Sequence, residues 1–72
     1  MEKFLKIGTG YYPAKNVVSM KPGSTAANLD VTFSGVGSAV SVTDGTANVE
    51  LLIQEINFGK QVVIDTAAIA AL

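Results

Sequence analysis

The chain contains neither cysteine nor histidine. Disulfides, thiolate nucleophiles, zinc sites of the usual kind and the commonest general base are therefore excluded. Arginine is missing too. All five basic residues are lysines (Lys3, Lys6, Lys15, Lys21 and Lys60), set against six acids for a net charge of −1. Nucleic-acid binders are normally basic and use arginine for bidentate contacts to phosphate and guanine, so tight or sequence-specific binding is not expected. No stretch approaches the roughly 20 apolar residues of a membrane span. Glu2, Lys3 and Lys6 break up the N-terminus, so neither a membrane partner nor a signal peptide is expected. The missing cysteine fits an intracellular protein.

What remains is apolar: 49% of residues are hydrophobic and 15% charged, the composition of a folded chain rather than a disordered one. Seventy-two residues make one domain, residues 1–72. A chain of this size buries only about 60% of the surface its unfolded form exposes. Small domains usually offset that deficit with disulfides, metals or oligomerisation, and only the last is left here.

The stretch Asn28 to Thr43 organises the pattern. Leu29, Val31 and Phe33 alternate with polar residues and share one face of a strand. Val40 and Val42 repeat the period in Ser38–Thr43, and Ser34-Gly35-Val36-Gly37 supplies the hairpin turn. Upstream, Glu2–Ile7 reads as a first strand with Leu5 and Ile7 on one face and Phe4 and Lys6 on the other. Tyr11-Tyr12-Pro13 reads as a strand edge or loop, because proline lacks a backbone donor. Lys15–Met20 is the next strand, with Val18 and Met20 sharing a face opposite Val17. Pro22-Gly23 follows as a turn with a positive φ at Gly23. Residues 24–27 form a loop of small side chains.

After Thr43 the period changes to 3.6. Val49, Leu52, Ile53 and Ile56 form a helical stripe, widened by Leu51 and Phe58. The spacing predicts a helix over Thr46–Phe58, capped by Asp44 or Thr46 and closed by a left-handed Gly59, with Lys60 at its negative end. Gln61–Asp65 is a last strand with Val62 and Ile64 facing inward, and Thr66–Leu72 is either its continuation or a short helix. The predicted order is β-β-β-β-α-β, a mainly β fold.

Catalytic constellations are not visible. No histidine activates the serines and threonines, and Glu50 and Glu55 are not spaced as an adjacent helical pair. Gly8-Thr9-Gly10 and Gly35-Val36-Gly37 lack the spacing of phosphate loops and read as turns. We expect no catalytic residues, metal or cofactor. The best binding constellation is Tyr11 and Tyr12 beside Lys15, where aromatic faces stack on bases and an ammonium meets phosphate. The plainer alternative, which we weight above it, has one tyrosine at the core edge and the other at a subunit contact. Lys21 and Lys60 complete the candidate set.

Lys3-Phe4-Leu5-Lys6-Ile7, Asn16-Val17-Val18, the alternating strand from Leu29 to Phe33, the helix, and Lys60-Gln61-Val62-Val63 together resemble a large family of small proteins from marine metagenomes, of cyanophage origin and Sm-like in character. The likeness covers most of the chain. It implies a strongly bent five-stranded Sm-like barrel with the helix between strands four and five, joined edge to edge in a homo-oligomeric ring of about five to seven copies, a pentamer first among them. In such rings strand four of one copy pairs with strand five of the next. That would engage Ser38–Thr43 and Gln61–Asp65, with Val40, Val42, Val62, Val63 and Ile64 as interface residues. RNA or single-stranded DNA is the implied ligand, and the cytoplasm of an infected host cell the implied location. The chain departs from typical Sm proteins by starting with a strand, by placing a helix between its last two strands, and by lacking the usual arginine-glycine or lysine-histidine signature. A phage structural or accessory protein without a nucleic-acid ligand, located in the virion, is the alternative.

Overall fold

A computed structural model describes residues 2–25 and 27–72, so the loop expected at 24–27 lies partly outside the described residues. Its elements are β1 (Phe4–Ile7), β2 (Gly10–Pro13), a single 3-10 turn (Ala14–Asn16), β3 (Val17–Pro22), β4 (Leu29–Phe33), β5 (Val40–Val42), α1 (Val49–Phe58), β6 (Val63–Asp65) and α2 (Thr66–Ala70). The mainly β class is as predicted, but six strands form two three-stranded sheets, ordered β2-β1-β6 and β3-β4-β5. No strand pairing joins the sheets into a closed barrel among the described residues. The extra strand is Gly10–Pro13, which pairs antiparallel with β1 at the sheet edge. The ladder runs one step further, the Ala14 N–H donating to the Lys3 carbonyl (2.8 Å), and the chain then leaves the sheet through the 3-10 turn.

Alternation places the core as expected in β1 and β4. Leu5, Ile7, Leu29, Val31 and Phe33 are all buried, joined by Ala14, Val42, Leu52 and Ile64. Strand β3 differs. Its register against β4 shifts between Val17 and Ser19, so an additional residue is accommodated there. Val17 and Met20 therefore both pack on the core, while Val18, expected beside Met20, is 66% exposed. The positive φ expected at Gly23 is not adopted, because its N–H bonds to the Asn28 carbonyl and continues the β3–β4 ladder past Pro22. Gly8 (φ 61°) and Gly35 (φ 85°) take that role in their turns, where a side chain would be strained.

Helix α1 starts at Val49, three residues later than predicted. Both expected caps are engaged elsewhere. The Thr46 hydroxyl donates to the Ala27 carbonyl (2.9 Å), and Asp44 turns left-handed (φ 57°). Asn48 occupies the cap position, but its amide reaches across to the C-terminal segment and donates to the carbonyls of Ile69 (3.0 Å) and Leu72 (3.2 Å). Only Val49, Leu52 and Ile56 of the predicted stripe face the core, and Ile53 is 43% exposed. At the other end Gly59 is extended (φ −72°, ψ 164°) rather than left-handed. The helix terminus is closed instead by Lys3, whose ammonium donates to the carbonyls of Glu55 (2.8 Å) and Gly59. A cation there meets the negative end of the macrodipole, the role expected of Lys60.

Strand β6 covers Val63–Asp65 and runs parallel to β1. Ile64 enters the core, but Val62 precedes the strand and is exposed, contrary to expectation. Helix α2 resolves the tail as helical. Asp65 accepts from the Ala67 N–H (3.1 Å), and the buried Thr66 hydroxyl donates to the Lys6 carbonyl (2.7 Å).

Lys3→Met keeps the aliphatic stem and removes the donors from the end of α1. The expected loss is about 1.5–3 kcal/mol, the range for hydrogen bonds to a charged group. Urea unfolding measures it, and an unchanged midpoint would refute the closing role of Lys3.

Candidate binding face

The site is built from the two faces of one sheet. Strand β1 turns Leu5 and Ile7 inward, so Phe4 and Lys6 face outward. The registers extend this face across the sheet. Phe4 lies opposite Pro13 on β2 and Val63 on β6, and Lys6 lies opposite Tyr11 and Asp65. Directly opposed residues project from the same side of a sheet. The outer face of β2-β1-β6 therefore carries two rows: Pro13, Phe4 and Val63, then Tyr11, Lys6 and Asp65. Tyr11 is 59% exposed, Val63 is exposed, and Phe4 and Lys6 are half-buried and stand outside the core cluster. Tyr11 and Phe4 are diagonal neighbours about 7–8 Å apart, a spacing bridged by aromatic side chains.

This arrangement divides the predicted constellation. Tyr12 follows Tyr11 in a strand and so points to the opposite face. It sits opposite Leu5, packs against the core, and stacks on Phe33 with ring centroids 4.8 Å apart and planes at 21°. Lys15, on the 3-10 turn, pairs with Glu2 at 3.2 Å on the surface. Lys21 is exposed near the end of β3 opposite Asp30, and Lys60 is exposed between α1 and β6. Of the five residues only Tyr11 belongs to the face, and the lysine beside it is Lys6. The period-two alternation of β1 was the signal for Phe4 and Lys6. It lacked the register that sets Tyr11 across from Lys6.

The residues expected at a subunit interface also separate. Val42 and Ile64 are buried in the chain's own core, and Val40 is half-buried against it. Val62 and Val63 are exposed. What stays open on β5 and β6 is backbone, since each strand is paired on one side only, β5 with β4 and β6 with β1.

Chemically the face offers the rings of Tyr11 and Phe4, the Lys6 ammonium and the Asp65 carboxylate, a surface suited to stacking and charge contact. Among the described residues no group of three or more acids stands close enough to hold a metal ion. No protein-family model, curated protein or solved structure matches the chain.

The split between the tyrosines is measurable as stability. Tyr12→Ala removes a stacked ring from the core edge and is expected to cost about 2–3 kcal/mol. Tyr11→Ala, on the open face, should stay within about 0.5 kcal/mol of the parent. Equal losses in chemical denaturation would overturn this assignment of the two faces.

Proposed function

We propose that this chain is a non-enzymatic, homo-oligomeric binding module that holds single-stranded RNA or DNA on the outer face of its β2-β1-β6 sheet. The observation that carries the reading is the juxtaposition of Tyr11, Phe4 and Lys6 on one sheet face. Aromatic residues on an open sheet stack unpaired bases, and a neighbouring lysine meets the phosphate. The want of histidine and cysteine supports a non-enzymatic role. One lysine per face and a net charge of −1 make binding by a single copy weak. Several linked faces on one strand raise the effective affinity without new contacts.

Fluorescence anisotropy with labelled oligo-dT and oligo-U tests this reading. Tyr11→Ala is expected to weaken binding by about tenfold, within the range for loss of one stacked base. Lys6→Gln should reduce the slope of log affinity against log salt by about one. No binding at low salt and tens of micromolar protein, or equal binding by Tyr11→Ala, overturns the proposal.

Assembly through sheet edges belongs to the same reading, as does the Sm-like ring. Four strands lie at edges, and two of them carry protection against pairing. β2 ends in Pro13, and β3 has an irregular register at Val18 followed by Lys21 and Pro22. β5 (Val40–Val42) and β6 (Val63–Asp65) contain no proline, no lysine and no register shift. Pairing β5 of one copy with β6 of the next joins different surfaces and closes as a ring, a pentamer in the family's manner. The bond from the Phe4 N–H to the Val62 carbonyl (2.8 Å) sets the phase of the parallel ladder. Val62 and Ile64 turn their polar groups to β1, and Val63 turns its own to the open edge. Val63→Pro therefore spares the ladder within the chain. It should break the ring and leave no species larger than a pair of 7.4 kDa chains in light scattering after size exclusion, with its circular dichroism retained. A parent chain that is itself monomeric at micromolar concentration would sink the ring.

The exposed apolar side chains favour a second reading, a structural or accessory protein of a phage particle rather than a binding module of the host cytoplasm. Mass spectrometry of purified virions separates the two, since the particle reading requires the chain to be present in them.

A further inference from the structure

Helix α1 is more apolar than its packing within one chain requires. Phe58 is 85% exposed, and Leu51, two turns earlier on the same side, is also exposed. The C-terminal segment runs alongside, held by the Asn48 amide, and brings up half-buried Ile69 and Leu72, which is 81% exposed. Leu51, Phe58, Ile69 and Leu72, with Gln54 and Glu55 among them, line an open trough of about 310 Å³ between α1 and α2. A projecting phenyl ring thus forms one wall of a largely apolar trough on the same surface.

We infer that this surface is a twofold contact between two copies of the chain, with Phe58 of each copy entering the trough of the other. A patch bearing both a knob and its matching hollow is complementary to itself, the condition for an isologous contact. The charges have the same property. Lys60 follows Phe58-Gly59 directly, while Glu55 and Asp65 line the adjoining hollow that continues along Ile69 and Leu72. None of the three makes an ion pair among the described residues. A twofold axis through the trough brings Lys60 of one copy toward the acids of the other, so the polar rim matches as well as the apolar centre. Phe58 supplies the buried aromatic anchor on which such contacts depend. This contact does not rest on the proposed pairing of β5 with β6.

The absence of cysteine gives a clean test in the full chain. Gln54→Cys places one thiol at the wall of the trough and leaves Phe58 and Leu72 in place. A short bismaleimide then links two copies only where position 54 meets itself across a twofold axis. In a head-to-tail contact that position faces a different surface and yields no such product. The expected result is a covalent species at twice the 7.4 kDa chain mass on denaturing gels. Val18→Cys, exposed on β3, should stay at the chain mass under the same conditions. Adding Phe58→Glu to Gln54→Cys should cut the cross-linked fraction by at least about tenfold. Because Phe58 is so exposed, that variant should fold with an unchanged circular dichroism spectrum, and Leu72→Glu provides an independent second disruption. Cross-linking no greater than that of Val18→Cys at tens of micromolar protein overturns the inference, as would occur if the trough received a different protein. Cross-linking that survives both charge substitutions overturns it equally.

Discussion

The ammonium of Lys3 holds together parts of the chain that sequence keeps far apart. It leads directly into β1, the central strand of its sheet, and donates to two carbonyls at the end of α1 more than fifty residues away. Helix α1 presents only Leu52 as a fully buried residue, so apolar packing alone anchors it lightly. The hydrogen bonds to its last turn set where it ends and hence where the chain departs toward β6. Two further polar contacts extend the frame. Thr66 bonds to the Lys6 carbonyl at the other end of β1, and Asn48 bonds to the carbonyls that close α2. In a chain without cysteine, and so without disulfides, these side-chain-to-backbone bonds position both helices against the sheets.

With β1 fixed between β2 and β6, the pleat divides its residues between two tasks. Leu5 and Ile64 meet in the core, with Tyr12 packed alongside, while Lys6 and Phe4 stand on the outer face with Tyr11 and Val63. The same constraint gives two adjacent tyrosines opposite fates. Tyr12 is committed to Phe33, and Tyr11 stays exposed on the outer face. The parallel pairing with β6 also places Asp65 beside Lys6, a carboxylate engaged in capping α2. The outer face is thus close to neutral, and the proposed binding there rests on stacking rather than on charge.

The distribution of edge protection has a physical logic of its own. A short chain with four edge strands exposes many unpaired backbone groups, and unprotected edges invite association. Proline, lysine and an irregular register fall on β2 and β3, and β5 and β6 are left without them. On the helical side Leu51, Phe58 and Leu72 gather much of the exposed apolar surface at one trough, while Ile53 is exposed elsewhere on α1. Directed association and solubility are compatible only when sticky surface is concentrated in this way.

Much of the local structure was legible in the sequence. Alternation in β1 and β4 identified Leu5, Ile7, Leu29, Val31 and Phe33 as core, because a strand with one buried face leaves no other register for its side chains. The helix was legible from its 3.6-residue period, and the want of cysteine, histidine and arginine limited the chemistry before any fold was known. Tertiary structure decided what depends on residues distant in sequence. It set Tyr11 opposite Lys6 and sent Tyr12 to the core, because pairing partners are chosen between strands and not within them. It gave the end of α1 to Lys3 rather than Lys60, since the ammonium that reaches those carbonyls is delivered by a strand from the other end of the chain. It shifted β3 by one residue and exposed Val18, a change in register that leaves no mark in local periodicity.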